Sequence, residues 1–288
     1  MLLITLILTF PAAARLRRTI APRGRHHGAP VAKPPSRLLD ANRLRHTVAQ
    51  GEAEMRFMML ATDYDGTLAH DGRVDRRTVD ALVRLRDSGR RLVLVTGREL
   101  PDLLSVFEHV ALFDYVVAEN GALLYQPSSS TEQALAGPPP AELVDALRAR
   151  NVEPLSVGRV IVATLERNAR VVGDTIRALG LQRQLILNKG AVMVLPSGVD
   201  KAAGLAAALE RLGVSAHNAV GIGDAENDHA FLSVCGCAVA VANALPALRE
   251  RADVVTRGAR GDGVVELIDA LLADDLQALM LGVTGGDG

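Results

Sequence analysis

The sequence predicts an α/β fold, a Rossmann-like doubly wound parallel sheet with a small α+β domain inserted into it, and three observations carry that expectation. Runs of strand length such as Arg91–Val95 and Tyr115–Ala118 are apolar almost throughout, as in strands covered on both faces. They alternate with segments of helical periodicity, the rhythm of parallel βαβ units. Between about residues 126 and 196 that rhythm stops, and it returns from Asp200.

Taken in order, the first strand is Met58-Met59-Leu60-Ala61-Thr62-Asp63, followed by Tyr64-Asp65-Gly66-Thr67. His70–Val74 is a tight excursion, and a helix runs from Asp75 as N-cap to a glycine stop at Gly89. Arg91–Val95 is the second strand, ending at Thr96-Gly97-Arg98, and a helix over roughly Pro101–Val110 leads to a third strand, Tyr115–Ala118. Gln126–Pro140, with three serines and three prolines in rows, has the composition of a linker. Helices at Ala141–Arg150 and Asn168–Leu179, a strand at Gly158–Leu165 and a hairpin of Gln184–Asn188 with Ala191–Leu195 make the inserted cap. Then come a helix from Asp200 to near Gly213 with Lys201 in its first turn, a strand at Ala219–Ile222, and further strands at Ala238–Val241 and Ala252–Val255. Helices at Pro246–Arg251 and Gly263–Leu272 complete the pattern. The expected domains are a core of 55–125 with 197–273, a cap of 126–196, and a loose tail of 274–288.

Composition bounds the function. A chain of 288 residues with 49% hydrophobic and 23% charged residues can bury a sizeable core. Aromatics are 3% and Trp is absent, so stacking platforms for single-stranded nucleic acid are not expected. Residues 1–50 hold nine Lys/Arg against Asp40, a charge of +8, which leaves 23 against 32, or −9, on the rest. An acidic body argues against a nucleic-acid partner and suits a protein that holds a divalent cation. Cys235 and Cys237 are too close to staple a fold, and read as small buried residues in a reducing compartment. Leu2–Phe10 is too short to span a bilayer, so no stable membrane insertion is expected, and Ala21–Gln50 has the composition of disorder. Residues 1–54 read as a targeting leader, a basic membrane-touching tail or an upstream extension from a misassigned start. The last is preferred because Met55 immediately precedes the first strand, which makes the expected location cytoplasmic.

The polar residues gather at strand ends: Asp63 and Asp65, Thr96, Asn120, then Asp224, Asn227 and Asp228. In an open parallel sheet those ends share one edge, where ligands bind. Two carboxylates beside a core cost free energy, so their place at a strand mouth points to a metal, a cation or a reaction that uses them. Each piece alone also has a plainer reading: Asp65-Gly66 and Thr96-Gly97 as turns, Lys201 as an exposed helical lysine, His229 as a packing residue.

Together, Asp63-Tyr64-Asp65-Gly66-Thr67, Val93-Leu94-Val95-Thr96-Gly97-Arg98, Lys201 and Gly223-Asp224-Ala225-Glu226-Asn227-Asp228 resemble, in order, the four motifs of the haloacid dehalogenase (HAD) superfamily of phosphohydrolases, over about Met58–Leu272. An insertion between the second and third motifs resembles the class IIB, or Cof-type, branch with a C2 cap, although this cap is small for that branch. The resemblance implies a Mg²⁺-dependent phosphatase acting on a small phosphorylated metabolite, of the sugar phosphate or phosphoglycolate class. It implies Asp63 as nucleophile and Asp65 as general acid and base. Asp63, the Asp65 carbonyl and Asp224 would hold the metal, with Asp228 orienting the site or binding through water. Thr96, Lys201 and Asn227, with Asp63, would meet the phosphoryl group. Arg159, Arg183, Asn188 and Lys189 are the polar candidates on the cap. A phosphotransferase, or a non-catalytic relative that binds a phosphorylated ligand or a protein, is the alternative. Oligomeric state is not legible.

Overall fold

The structure, a computed structural model, describes residues 55–280; the expectations for 1–54 and 281–288 lie outside them. The core opens as β1 (Met59–Asp63), α1 (Arg76–Asp87), β2 (Arg91–Val95), α2 (Leu100–Val106) and β3 (Tyr115–Ala118). Every residue of β1 is buried, as its unbroken apolar run requires. At the start of α1 the Asp75 carboxylate accepts from the Thr78 N–H at 2.9 Å, an N-cap worth about 1 kcal/mol. The second helix ends at Val106, four residues before the expected Val110, where a short 3-10 turn begins.

The expected linker is in part ordered sheet. Strand β4 (Leu123–Gln126) turns back antiparallel on β3, and β5 (Thr131–Ala134) pairs antiparallel with β4. All four side chains of β5 are exposed, so the backbone ladder is its main tie to the sheet and no apolar pattern marks it. The chain therefore remains in the larger sheet up to Ala134, beyond the residue 125 expected as the end of the first core segment.

The cap follows as α3 (Ala141–Ala149), β6 (Leu155–Val157), β7 (Val162–Leu165), α4 (Ala169–Ala178), β8 (Arg183–Asn188) and β9 (Ala191–Pro196). Its four strands form a separate antiparallel sheet in the order β6-β7-β9-β8. Leu143, Leu147, Val162, Val172 and Val194 make a core of its own. A further buried cluster, Ala122 from the large domain with Val160, Ile161, Met193 and Leu195 from the cap, joins the two.

The return to the core is α5 (Lys201–Leu212), β10 (Ala219–Gly223), α6 (His229–Leu232), β11 (Cys237–Ala240), α7 (Pro246–Arg249), β12 (Val254–Val255), α8 (Gly261–Asp274) and α9 (Gln277–Met280). The eight-stranded sheet runs β12-β11-β10-β1-β2-β3-β4-β5. It is parallel from β12 through β3. From β1 the chain builds outward to one side and later returns to β10 on the other, so a switch in strand order lies beside the end of β1. Residues 274–280, expected as loose tail, are tied in. Asp275 accepts from the Arg56 N–H at 2.6 Å and from Arg90 Nη2 at 3.0 Å, and Leu276 is fully buried. Among the described residues no helix is long and apolar enough to cross a membrane.

Candidate active site

The site forms at the carboxyl ends of β10, β1, β2 and β3. Asp63 is the last residue of β1, paired with Val95, so Thr96 emerges beside it. Asp224 follows β10, whose Ile222 is in register with Thr62. Adjacent parallel strands thus deliver carboxylates that are far apart in the chain. One oxygen each from Asp63, Asp224 and Asp228 lies within 4.8 Å of the others, and all three residues are buried.

Local backbone makes this approach possible. Gly66 has φ +89°, and a Cβ there would sit 2.2 Å from Asp224 Oδ2, so any other residue would push that carboxylate away. Gly121, at φ +104°, lies so close to the Asp200 carbonyl that a Cβ would overlap it, which lets the start of α5 press against the end of β3. Lys201 is thereby carried into the cluster. Its Nζ donates to Asp63 Oδ1 at 2.5 Å and to Asp228 Oδ1 at 2.6 Å, with the side chain 1% exposed. A cation at a helix N-terminus opposes the helix dipole, and the two carboxylates outweigh that cost. The remaining Asp228 oxygen accepts from the N–H groups of Asp224 and Ala225, both at 2.9 Å. Asp228 is fully engaged in holding Lys201 and the loop after β10.

Electrostatics show a cluster short of positive charge. Burial, then Asp228, push the Asp63 carboxyl up to about 8 against the pull of Lys201. Burial pushes Asp224 up to about 6 although Lys189 draws it down. Burial works against the Lys201 ammonium, but Asp228 and Asp63 prevail and raise its pKa above the usual lysine range.

Asp65 divides its groups. Its carbonyl faces the cluster, while its carboxylate is gripped by Arg98, Nε to Oδ2 at 2.7 Å and Nη2 to Oδ1 at 2.8 Å. Arg98 is steadied by Asp102 at 2.6 Å and lies over the Tyr64 ring. Thr96 is buried, its hydroxyl accepting from the Arg98 N–H at 3.1 Å. Asn227 Nδ2 donates to Asn120 Oδ1 at 3.1 Å, joining the ends of β10 and β3. Thr67 Oγ1, Asn188 Oδ1, Glu226 Oε2 and Asn227 Oδ1 are buried without a partner, each an unmade bond of about 1–3 kcal/mol that a bound ligand or water could satisfy.

Glu119, which carries no expectation from the sequence, is 1% exposed and accepts from three cap amides: Arg159 N–H at 2.8 Å, Val160 N–H at 2.8 Å and Ile161 N–H at 3.0 Å. It latches the β6–β7 turn to the core. Lys189, one cap candidate among four, reaches from the β8–β9 turn into the carboxylate cluster. Its Nζ donates to the Asp65 carbonyl at 2.6 Å and to Asp224 Oδ1 and Oδ2 at 3.0 and 2.9 Å. Of the other candidates, Arg159 pairs with Glu132 and Arg183 with the Pro138 carbonyl, both at exposed positions.

The donor set is all oxygen and mostly carboxylate, which suits a hard divalent ion such as Mg²⁺. The Lys189 ammonium lies within hydrogen-bond reach of the Asp65 carbonyl and both Asp224 oxygens, so these oxygens converge on a position a cation can take. The residues present therefore fit a metal.

Comparisons with known proteins agree with this geometry. A profile of haloacid dehalogenase-like hydrolases matches residues 60–155 and 185–268. Phosphoglycolate phosphatase 2 of Saccharolobus solfataricus is 31% identical over 228 residues, covering 75% of this chain and 93% of that protein. A phosphoglycolate phosphatase of Haloarcula marismortui is 32% identical over 220 residues, covering 73% and 95%. Among solved structures, a haloacid dehalogenase-like hydrolase from Bacteroides thetaiotaomicron superposes with TM-score 0.64 at 20% identity, covering 75% of this chain and 99% of that one. A HAD subclass IIB sugar phosphatase superposes with TM-score 0.60 at 18% identity, covering 74% and 98%. With the core sheet, the separate cap and the acidic cluster all in place, the chain belongs to the haloacid dehalogenase-like hydrolases.

Proposed function

We propose that this protein is a Mg²⁺-dependent phosphatase of the class IIB, or Cof-type, arrangement that hydrolyses a small phosphorylated acid of the phosphoglycolate class through an aspartyl-phosphate. The observation that carries this reading is the meeting of Asp63, Asp224 and Asp228, from opposite halves of the chain, around one buried lysine. The substrate class is supported by the names of relatives that match over nearly their whole length at about one-third identity.

Asp63 Oδ attacks phosphorus and the bond to the ester oxygen breaks. In its protonated form Asp65 gives that oxygen the proton, then takes one back from the water that attacks the aspartyl-phosphate, so that phosphate leaves and both carboxyls return to their starting state. Asp65 does this by exchanging an Arg98 hydrogen bond for one to the leaving group. Lys201 favours the anionic form of Asp63 against burial and holds it in place, and with Thr96 and Asn227 meets phosphoryl oxygens. Asp63, the Asp65 carbonyl and Asp224 would hold the metal, with Asp228 behind them. When bound, Mg²⁺ offsets the repulsion between these carboxylates and the phosphate dianion. The location proposed with this reading is cytoplasmic, where the free Cys235 and Cys237 would stay reduced.

The test is phosphate release from 2-phosphoglycolate, sugar phosphates and p-nitrophenyl phosphate, with and without Mg²⁺, by wild type and Asp63→Asn. Turnover of 2-phosphoglycolate that needs both Mg²⁺ and Asp63 is expected. Turnover by Asp63→Asn at the wild-type rate would sink the nucleophile assignment, and added acceptors that divert phosphate from water would make the enzyme a phosphotransferase.

A further inference from the structure

The cap supplies a cation of its own to the site. Lys189 is the first residue of a two-residue turn between Asn188 and Ala191, paired partners of β8 and β9. Lys189 has φ +47° and Gly190 φ +82°. Positive φ at both positions is met with least strain by Asn-Gly or Gly-Gly, and a long β-carbon-bearing side chain is a poor choice there. The turn geometry does not account for a lysine.

Its side chain does. The Nζ reaches three oxygens, the Asp65 carbonyl at 2.6 Å and the Asp224 carboxylate at 2.9 and 3.0 Å, and is 22% exposed beside an Asp224 that is 8% exposed. It has entered far enough that a Cβ on Gly66 would stand 2.7 Å from it. The Asp65 carbonyl and Asp224 are the oxygens assigned above to the metal. Asp63, Asp224 and Asp228 against Lys201 and Lys189 leave one negative charge; without Lys189 they leave two, the charge of one divalent ion. The Lys189 ammonium, at hydrogen-bond distance from all three oxygens, stands where a metal would approach them, and two cations that close repel.

We propose that Lys189 is the resident cation of the metal-free site and that Mg²⁺ binds by expelling it, so that loading the metal releases the β8–β9 hairpin from the core. Lys189 is then a positioning residue for the cap, tying the β8–β9 turn to the Asp65 carbonyl and Asp224. The inference rests on the metal assignment made in the proposed function.

The test uses the full chain, stripped of metal with a chelator and dialysed, and reads metal binding and hairpin protection. Mg²⁺ is titrated calorimetrically into wild type, Lys189→Met and Lys189→Gln, with Lys189→Arg as the variant that retains a cation. Losing one charge-assisted contact of this kind corresponds to about tenfold in affinity, so the Met and Gln variants are expected to bind Mg²⁺ at least about ten times more tightly than wild type. Lys189→Arg is expected to bind no more tightly than wild type. Hydrogen exchange followed by mass spectrometry on residues 184–194 needs no variant: Mg²⁺ should speed exchange there in wild type. In Lys189→Met exchange should be fast with or without the ion. Equal or weaker Mg²⁺ binding by Lys189→Met and Lys189→Gln overturns this inference and leaves the metal assignment standing. Failure of both wild type and variants to bind Mg²⁺ overturns the two together. Exchange in wild type that Mg²⁺ slows or leaves unchanged also overturns the inference.

Discussion

Two lysines enter the same acidic cluster from two regions of the molecule, and they differ in every physical respect that matters. Lys201 comes from the core at the first turn of α5, is 1% exposed, and is fixed between Asp63 and Asp228. Lys189 comes from the cap at a hairpin tip, is 22% exposed, and meets a backbone carbonyl and Asp224. The first is held by a helix that glycine lets press against the sheet; the second stands on a two-residue hairpin turn. A buried pair deprived of one partner strands a charge, whereas a partly exposed pair is relieved by water. The core lysine is thus part of the scaffold, and the cap lysine is an interchangeable occupant.

The largest expected effect is on the chemistry that the core side of this contrast serves. Asp63→Asn should lower turnover by at least about 10⁴-fold, as loss of a nucleophile does elsewhere. Measured phosphate release within tenfold of wild type would remove the reason for treating the Asp63–Lys201 contact as catalytic. Lys201→Met comes next, and here the readout is stability. Stranding Asp63 and Asp228 should cost about 3–5 kcal/mol in denaturant unfolding, with or without Mg²⁺. A variant that unfolds like wild type would place Lys201 in the same replaceable class as Lys189.

The latch at the far end of the cap sheet sharpens the contrast differently. Glu119 accepts from three cap amides, with Oε2 serving both Val160 and Ile161. Glu119→Gln replaces one acceptor oxygen with an NH₂ that cannot accept, at a cost of about 1–3 kcal/mol. Hydrogen exchange at residues 159–161 should rise while the 184–190 segment keeps its protection. If both segments loosened together, the cap would move as one rigid body, and Lys189 could not be released by itself.

These regions also differ in how legible they were. β1, β2 and β3 were placed within a residue because a strand buried on both faces must be written as an unbroken apolar run. The acidic cluster was legible because such a sheet sends all its carboxyl ends to one edge. Strand β5, Thr131–Ala134, was read as linker since its four exposed side chains carry no pattern. Arg98 stands in the second motif without a role, because its grip on Asp65 depends on side chains meeting across a loop. Lys189 is legible only as one of four polar cap candidates, and Glu119 not at all, for one shared reason. Asn-Lys-Gly and Glu-Asn-Gly spell ordinary turns, and their partners, 35 to 124 residues away for Lys189 and 40 to 42 for Glu119, are fixed by how the cap lies on the core.

The smallest effect is also the most discriminating. Because Lys189 is partly exposed, Lys189→Met should destabilise the metal-free protein by only about 1 kcal/mol. In saturating Mg²⁺ the wild-type lysine has already left its carboxylate, so the two proteins should unfold alike or the variant should be the more stable. Binding to the native state alone stabilises by RT ln(1 + [L]/Kd), and the variant binds the ion more tightly. A paired set of denaturant curves, with chelator and with Mg²⁺, reads this as a difference that shrinks or changes sign. For Lys201→Met the same pair of curves should show a large loss in both conditions, since the metal takes none of the oxygens that Lys201 holds on Asp228. Equal penalties for Lys189→Met with and without the ion would mean that both cations occupy the site together, and the distinction between a built-in and a borrowed charge would disappear.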